Sequence, residues 1–213
     1  MKSLTSNLFN LILIFFVIVA IVLIIVPFRL VNLEQAQRIA NWITVYEKAE
    51  YSFSLVNEYE GDIIPTPEET GHVISDEYIM DRLTPYFNLD ENSKTEEGIK
   101  NYSYRLMNGK AINKNSQFYF DKFIRTKDGV LLSLRQNLKD NAEDNLPLFF
   151  MFVDINGIEK PNIVGQDIFI INVYKNEIKP LGYGKKHAQL KLNCSPLGTG
   201  LYCAEHYLKG GMF

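Results

Sequence analysis

Hydrophobic and polar positions change rhythm along this chain, and each rhythm predicts an element. From Leu11 to Val26, sixteen residues run without a charge, amide or hydroxyl, and Pro27 ends the run. Extended from Leu8 to Leu30, the segment has 23 positions interrupted by Asn10, Pro27 and Arg29, against the ~20 with which a helix crosses ~30 Å of hydrocarbon. This predicts a transmembrane helix within residues 1–30. Residues 31–60 lack Gly and Pro, and Ala36, Ile39, Ile43, Tyr46, Ala49, Phe53 and Val56 return at steps of three and four, the spacing of one helical face. An amphipathic helix is therefore expected to continue the apolar one. Pro27 should bend the rod, because its ring removes a hydrogen bond, and Gly61 and Pro65 should stop it.

Residues 61–117 are the least regular part. Ser75 is placed to cap a helix over Asp76–Tyr86, with Asp76 and Glu77 in its first turn and Pro85 marking its end. Residues 88–116 mix Asn, Ser, Lys, Glu and Gly and read as loops, with one helical turn around Gly98–Met107. From Gln117 the period becomes two. A strand is expected over Phe118–Phe123, then a Lys127-Asp128-Gly129 hairpin turn and a partner strand over Val130–Leu134. Leu148–Val153 and Ile168–Tyr174 are two further strands, and Lys175-Asn176-Glu177 turns the last toward Ile178. The predicted fold class is a two-layer α+β domain: a long N-terminal helix packed on an antiparallel β-sheet over residues 118–213, which ends in a cysteine loop.

Charge adds an orientation and excludes a partner. Beyond residue 28 the chain carries 21 basic and 25 acidic residues, a formal charge near −4, so no basic face for nucleic acid is evident. Lys2 precedes the apolar span and Arg29 and Arg38 follow it, which orients it only weakly. Cys194 and Cys203 enclose eight residues that include Pro196, Gly198 and Gly200, so the chain can turn back and bring the sulfurs within bonding reach. A metal site is the competing reading, but His187 and His206 fit no zinc spacing. A disulfide belongs outside the cytoplasm, which places the N-terminus inside, one span in the cytoplasmic membrane, and the C-terminal domain outside. A cleaved signal peptide competes with the anchor, yet no pair of small residues follows the apolar block.

Candidate chemistry is sparse. The chain has no Gly-x-Ser-x-Gly elbow, no His-Glu-x-x-His and no phosphate-binding glycine loop, and His72, His187 and His206 read as scattered surface residues. An enzyme is not expected. The loop from Asp154 to Asp167 opens Asp-x-Asn-Gly, which is similar to the start of a calcium loop. Asp154, Asn156 and Asp167 are the candidate ligands for a structural calcium ion, the alternative being a tight turn whose side chains bond to their own backbone. No other cofactor is expected.

The order of elements resembles that of type IV pilins and type II secretion pseudopilins. A short lead, an apolar span with a proline near its outer end, a continuing amphipathic helix, a late antiparallel sheet and a C-terminal cysteine loop carry the likeness. It is most specific in Asp154–Phe169, in Pro180-Leu181-Gly182 and in Tyr202-Cys203-Ala204-Glu205. If Pro27 matches the family's helix proline, Ser6 takes the first mature position, with Thr5 where the family has its cleavage Gly and Asn10 where it has Glu. The resemblance implies a structural subunit of a pilus or secretion apparatus. Its partners would be the lipid bilayer and other pilin-like subunits, bundled through a helix containing Asn10, Leu11, Phe15, Val19, Val26 and Pro27. A second expectation is a membrane-tethered binding or sensor module with a pilin-like fold that does not enter filaments.

Overall fold

A computed structural model describes residues 2–62, 64, 74–90, 92–93, 96–137 and 146–212, except for the side chains of 2–11, 23–32 and 97–98. Pro65 and His72 lie outside the described residues, as do the side chains of Asn10, Leu11, Val26 and Pro27. The first helix, α1, runs from Lys2 to Glu60 without a break at position 27, and Gly61, at φ +83°, follows its end. Two units divide the chain, Met1–Ile39 and Ala40–Phe213.

In the first unit Ile12–Ile18, Ile21 and Val22 are exposed hydrophobic residues, between 47 and 65% accessible. Among the described residues no helix is long and apolar enough to cross a membrane. The described part of the apolar run, Ile12–Val22, is shorter than the ~20 positions a span needs.

The second unit holds the remainder of α1 and four shorter helices, α2 (Asp76–Phe87), α3 (Glu97–Lys100), α4 (His187–Asn193) and α5 (Cys203–Leu208). It also holds six strands, β1 (Leu89–Asp90), β2 (Ile124–Thr126), β3 (Leu131–Gln136), β4 (Phe149–Asp154), β5 (Ile168–Val173) and β6 (Ile178–Pro180). They form one sheet in chain order, each strand antiparallel to the next. The α+β class and the antiparallel sheet therefore match expectation. So do the turns at Lys127–Gly129, closed by Thr126 N–H to Val130 O at 2.8 Å, and at Lys175–Glu177, closed by Tyr174 N–H to Glu177 O at 2.8 Å.

Three local expectations need correction. The strand expected over Phe118–Phe123 is absent, and pairing begins at Ile124. Here the backbone bonds to side chains: Phe120 N–H donates to the Tyr104 hydroxyl at 2.6 Å, and that hydroxyl donates to Phe118 O at 3.2 Å. The rings of Phe118, Phe120 and Phe123 all turn toward Phe150 or Phe152, whereas a regular strand would put Phe123 on the face opposite Phe118 and Phe120. The helical turn expected over Gly98–Met107 is confined to α3, because Arg105 pairs instead with the 162–164 segment, donating to Asn162 O at 3.1 Å and accepting from Val164 N–H at 2.9 Å. Finally, α2 starts as predicted, with Ser75 Oγ accepting from Tyr78 N–H, but it passes Pro85 and ends at Asn88 in a left-handed conformation.

Both faces of the central strands are buried. Every residue of β4 and β5 is inaccessible, so the sheet has cover on two sides and the two-layer expectation is too simple. By register, Leu131, Phe150, Phe152, Ile168 and Ile170 face one way. They pack with Ile99, Tyr102 and Tyr104, from the segment that reads as irregular, and with Phe120 and Phe123, from the expected strand. On the opposite face Phe169 of β5 stacks on Trp42 at 4.3 Å and meets Tyr207 edge-on at 5.9 Å. Within α1, Trp42, Tyr46, Ala49, Phe53 and Val56 are at most 6% exposed. The buried seam is thus the predicted one, except that Trp42 belongs to it while Ala36 is exposed and Ile39 and Ile43 are half-buried.

Candidate functional site

Three features could carry function, and the first is the exposed apolar surface of α1. Phe15 is 63% exposed and Val19 is partly so. Among the described residues of this unit, Ile12–Ile18, Ile21 and Val22 stay about half or more accessible, and a contiguous apolar surface of this kind marks interaction sites.

The second is the loop between β4 and β5. Asp154 and Asp167 are completely buried. One oxygen of Asp154 accepts from Asn156 N–H at 3.1 Å, and the other accepts from the Tyr102 hydroxyl. The two oxygens of Asp167 accept from Asn162 N–H at 2.8 Å and Ile163 N–H at 2.7 Å. Asn156, half-buried, turns its amide toward the carbonyls of Glu159 and Lys160 at 3.2 and 3.3 Å. The calcium candidates are thus brought into one loop; the oxygens of Asp154 and Asp167 face the chain's own donors, whereas Asn156 Oδ1 is buried without a hydrogen-bond partner among the described residues. Among the described residues no group of three or more His, Cys, Asp or Glu side chains converges to hold a metal. The Asn156 N–H to Asp154 bond is the kind a self-bonded turn makes. Burial pushes the Asp154 carboxyl up to about 8, and the nearby Asp167 charge adds to this against the Tyr102 hydrogen bond. The Tyr102 hydroxyl is also raised, first by burial and then by Asp154.

The third is the C-terminal module. Cys194 and Cys203 are bonded, with Cα atoms 4.9 Å apart, and both are buried. The cysteine loop proves to join two helices, α4 and α5. Trp42 Nε1 donates to Ala204 O at 3.0 Å, and the Tyr207 hydroxyl donates to Gly165 O at 3.0 Å. Gly165, at φ +87°, is required here, since a Cβ on it would sit 2.6 Å from Cys203 Sγ. His187 is exposed as expected, but His206 is a correction: it is 2% exposed, with Nε2 3.2 Å from Met212 O and Gly211 packed against the ring.

A separate cavity of about 290 Å³ is lined by Met80, Ile99, Phe123, Ile124 and Leu134, with Asp76 and Lys122 at its polar side. Sequence reasoning missed it, as it missed Tyr102, because their partners are far apart in the chain. Compared with known proteins, the chain matches no family model, and no curated protein or solved structure is significantly similar to it.

Proposed function

We propose that this chain is a membrane-anchored, pilin-like structural subunit that acts by helix packing and by contacts between folded heads. The carrying observation is the unbroken α1 from Lys2 to Glu60, which has an uncharged sixteen-residue apolar run toward one end and the buried Trp42 to Val56 seam toward the other. Each Leu, Ile, Phe or Val in such a run favours bilayer insertion by about 0.3–0.6 kcal/mol, so the run as a whole supplies several kcal/mol. The Trp42–Phe169 stack supports the second half of α1 lying across the sheet as one of its two covers. On this reading the apolar halves of neighbouring subunits bundle in lipid and in the assembly, while the sheet and the disulfide-closed module form the outer head.

Cross-linking tests the assembly. Leu33 and Ala36 are exposed, and Leu33→Cys or Ala36→Cys should give cross-linked species with other pilin-like helices in membranes of cells making the apparatus. Recovery of monomer alone at both positions would count against it. The cavity beside Met80 and Phe123, lined by apolar and charged side chains, favours the second reading, a tethered binding module. That reading gains if Met80→Trp, which would fill the cavity, abolishes function while cross-linking is absent in the wild type.

A further inference from the structure

The segment from Ile178 to Ala204 has no acidic residue but has four lysines, in a chain whose net charge is −3. Lys179 is paired with Glu177 at 2.6 Å. The other three, Lys185, Lys186 and Lys191, are exposed and make no ion pair among the described residues. Beside them Leu192 is 74% exposed and Leu197 is 91% exposed, values with no explanation in the packing of this unit. The patch is rigidly mounted, since Leu190 beneath α4 is fully buried and the Cys194–Cys203 bond ties α4 to α5. It also has a defined place in the head. Trp42, near the point where this unit's share of α1 begins, bonds to Ala204 of α5, and farther along the helix Asn57 bonds to Asn176 O beyond the other end of β5. Ala204, and with it the disulfide-tied module that carries these residues, therefore lies toward the end of this unit at which its own share of α1 begins.

We propose that this patch docks on the surface of an anionic phospholipid bilayer, the one that holds the apolar part of α1. The inference rests on the anchoring reading above. Lysines near an anionic bilayer each strengthen association several-fold and are screened by salt, while aliphatic side chains between them enter the boundary between headgroups and acyl chains. Two projecting leucines fit that boundary better than they fit a nucleic acid, whose single strands ask for stacking rings and whose duplex asks for phosphate contacts alone. Docked, the head would be held down on the membrane; entering an assembly would require it to lift.

The test uses the full chain reconstituted in vesicles of phosphatidylcholine alone or with phosphatidylglycerol, read by hydrogen exchange over residues 183–200. The expected result is roughly tenfold or greater slowing of exchange in the anionic vesicles, lost in the neutral ones, at high salt, and in the K185E/K186E/K191E variant. The L192S/L197S variant, which leaves the charges in place, should lose most of the slowing and keep its disulfide and its melting temperature. Equal exchange in both vesicle types would overturn the proposal, as would tighter binding to duplex DNA than to anionic vesicles. Carbonate washing separates this from anchoring: if it releases the wild type, the anchoring reading fails, and co-sedimentation of the released chain with the same two vesicle types then decides whether the patch binds lipid.

Discussion

Trp42 joins α1 to both β5 and α5. It is wholly buried, stacks on Phe169 at 4.3 Å, lies beside Tyr46 at 5.5 Å and donates to Ala204 O. Trp42→Ala should cost about 3–5 kcal/mol in denaturant unfolding, whereas Trp42→Phe, which keeps a ring on Phe169, should cost about 1–2 kcal/mol, chiefly for the carbonyl left without its donor. Asp154 makes a different prediction, one of pH. Its carboxyl is raised to about 8 from an ordinary 3.8, so the folded chain holds this proton more tightly than the unfolded chain does. The stability it contributes is complete below about pH 4 and is lost as pH rises through about 8. Asp154→Asn should flatten that part of the stability curve, measured by unfolding at several pH values. Asp154→Ala should instead cost about 1–3 kcal/mol throughout, because the Tyr102 hydroxyl and the Asn156 N–H lose their acceptor. An Asn variant with the wild-type slope would assign the titration elsewhere. The oxygen-rich turn itself was legible from Asp154, Asn156 and Gly157, but Tyr102, 52 residues away, was not. That separation is why the sequence pattern alone does not reveal the hydroxyl on Asp154.

Elements were legible where burial and propensity agree. Apart from Asp154 and Asn172, β4 and β5 consist of Phe, Ile, Met and Val, and both proved to be buried strands. α2 announced itself through Ser75 and the acidic first turn. The Phe118–Phe123 segment misled because its aromatic residues have strand propensity, while the Tyr104 hydroxyl, which takes up its backbone, comes from a distant loop. The helices α4 and α5, of seven and six residues, are too short to leave a periodic signal and owe their persistence to packing. Their covalent link should matter accordingly. The bond closes a short loop, with a sequence separation of 9, for which chain entropy gives about 2–3 kcal/mol. The C194S/C203S variant should therefore lose about that much in denaturant unfolding relative to the oxidised wild type. Reductant should bring the wild type down to the variant and leave the variant unchanged. Equal stability of all three would mean that Leu190, Ala204 and Tyr207 hold the module without the bond.

For the whole molecule, the question is whether one apolar rod suffices to fix the head to a bilayer, and the magnitudes allow a sharp answer. The fifteen Leu, Ile, Phe and Val residues of the run, each favouring insertion by a few tenths of a kcal/mol, sum to roughly 5–9 kcal/mol, whereas an arginine at the centre of a span opposes it by about 2.5–3.5 kcal/mol. One arginine should therefore be tolerated, whereas two, at about 5–7 kcal/mol together, cancel most or all of that total. Phe15 and Val19 lie one helical turn apart near the middle of the run, and both are accessible in their unit. Phe15→Arg should leave the chain in the carbonate-resistant membrane fraction, while F15R/V19R should move most of it to the supernatant with the head intact, as reported by the Cys194–Cys203 bond. If the double variant stays with the membrane, the helix is held by neighbouring helices or by the head rather than by lipid. Cross-linking at Leu33 then separates the cases, since subunit packing should persist in that variant and docking by the head alone should give no cross-link. If the wild type is itself released by carbonate, α1 is not an anchor, and the exposed Ile12–Val22 surface must find its cover on another protein chain.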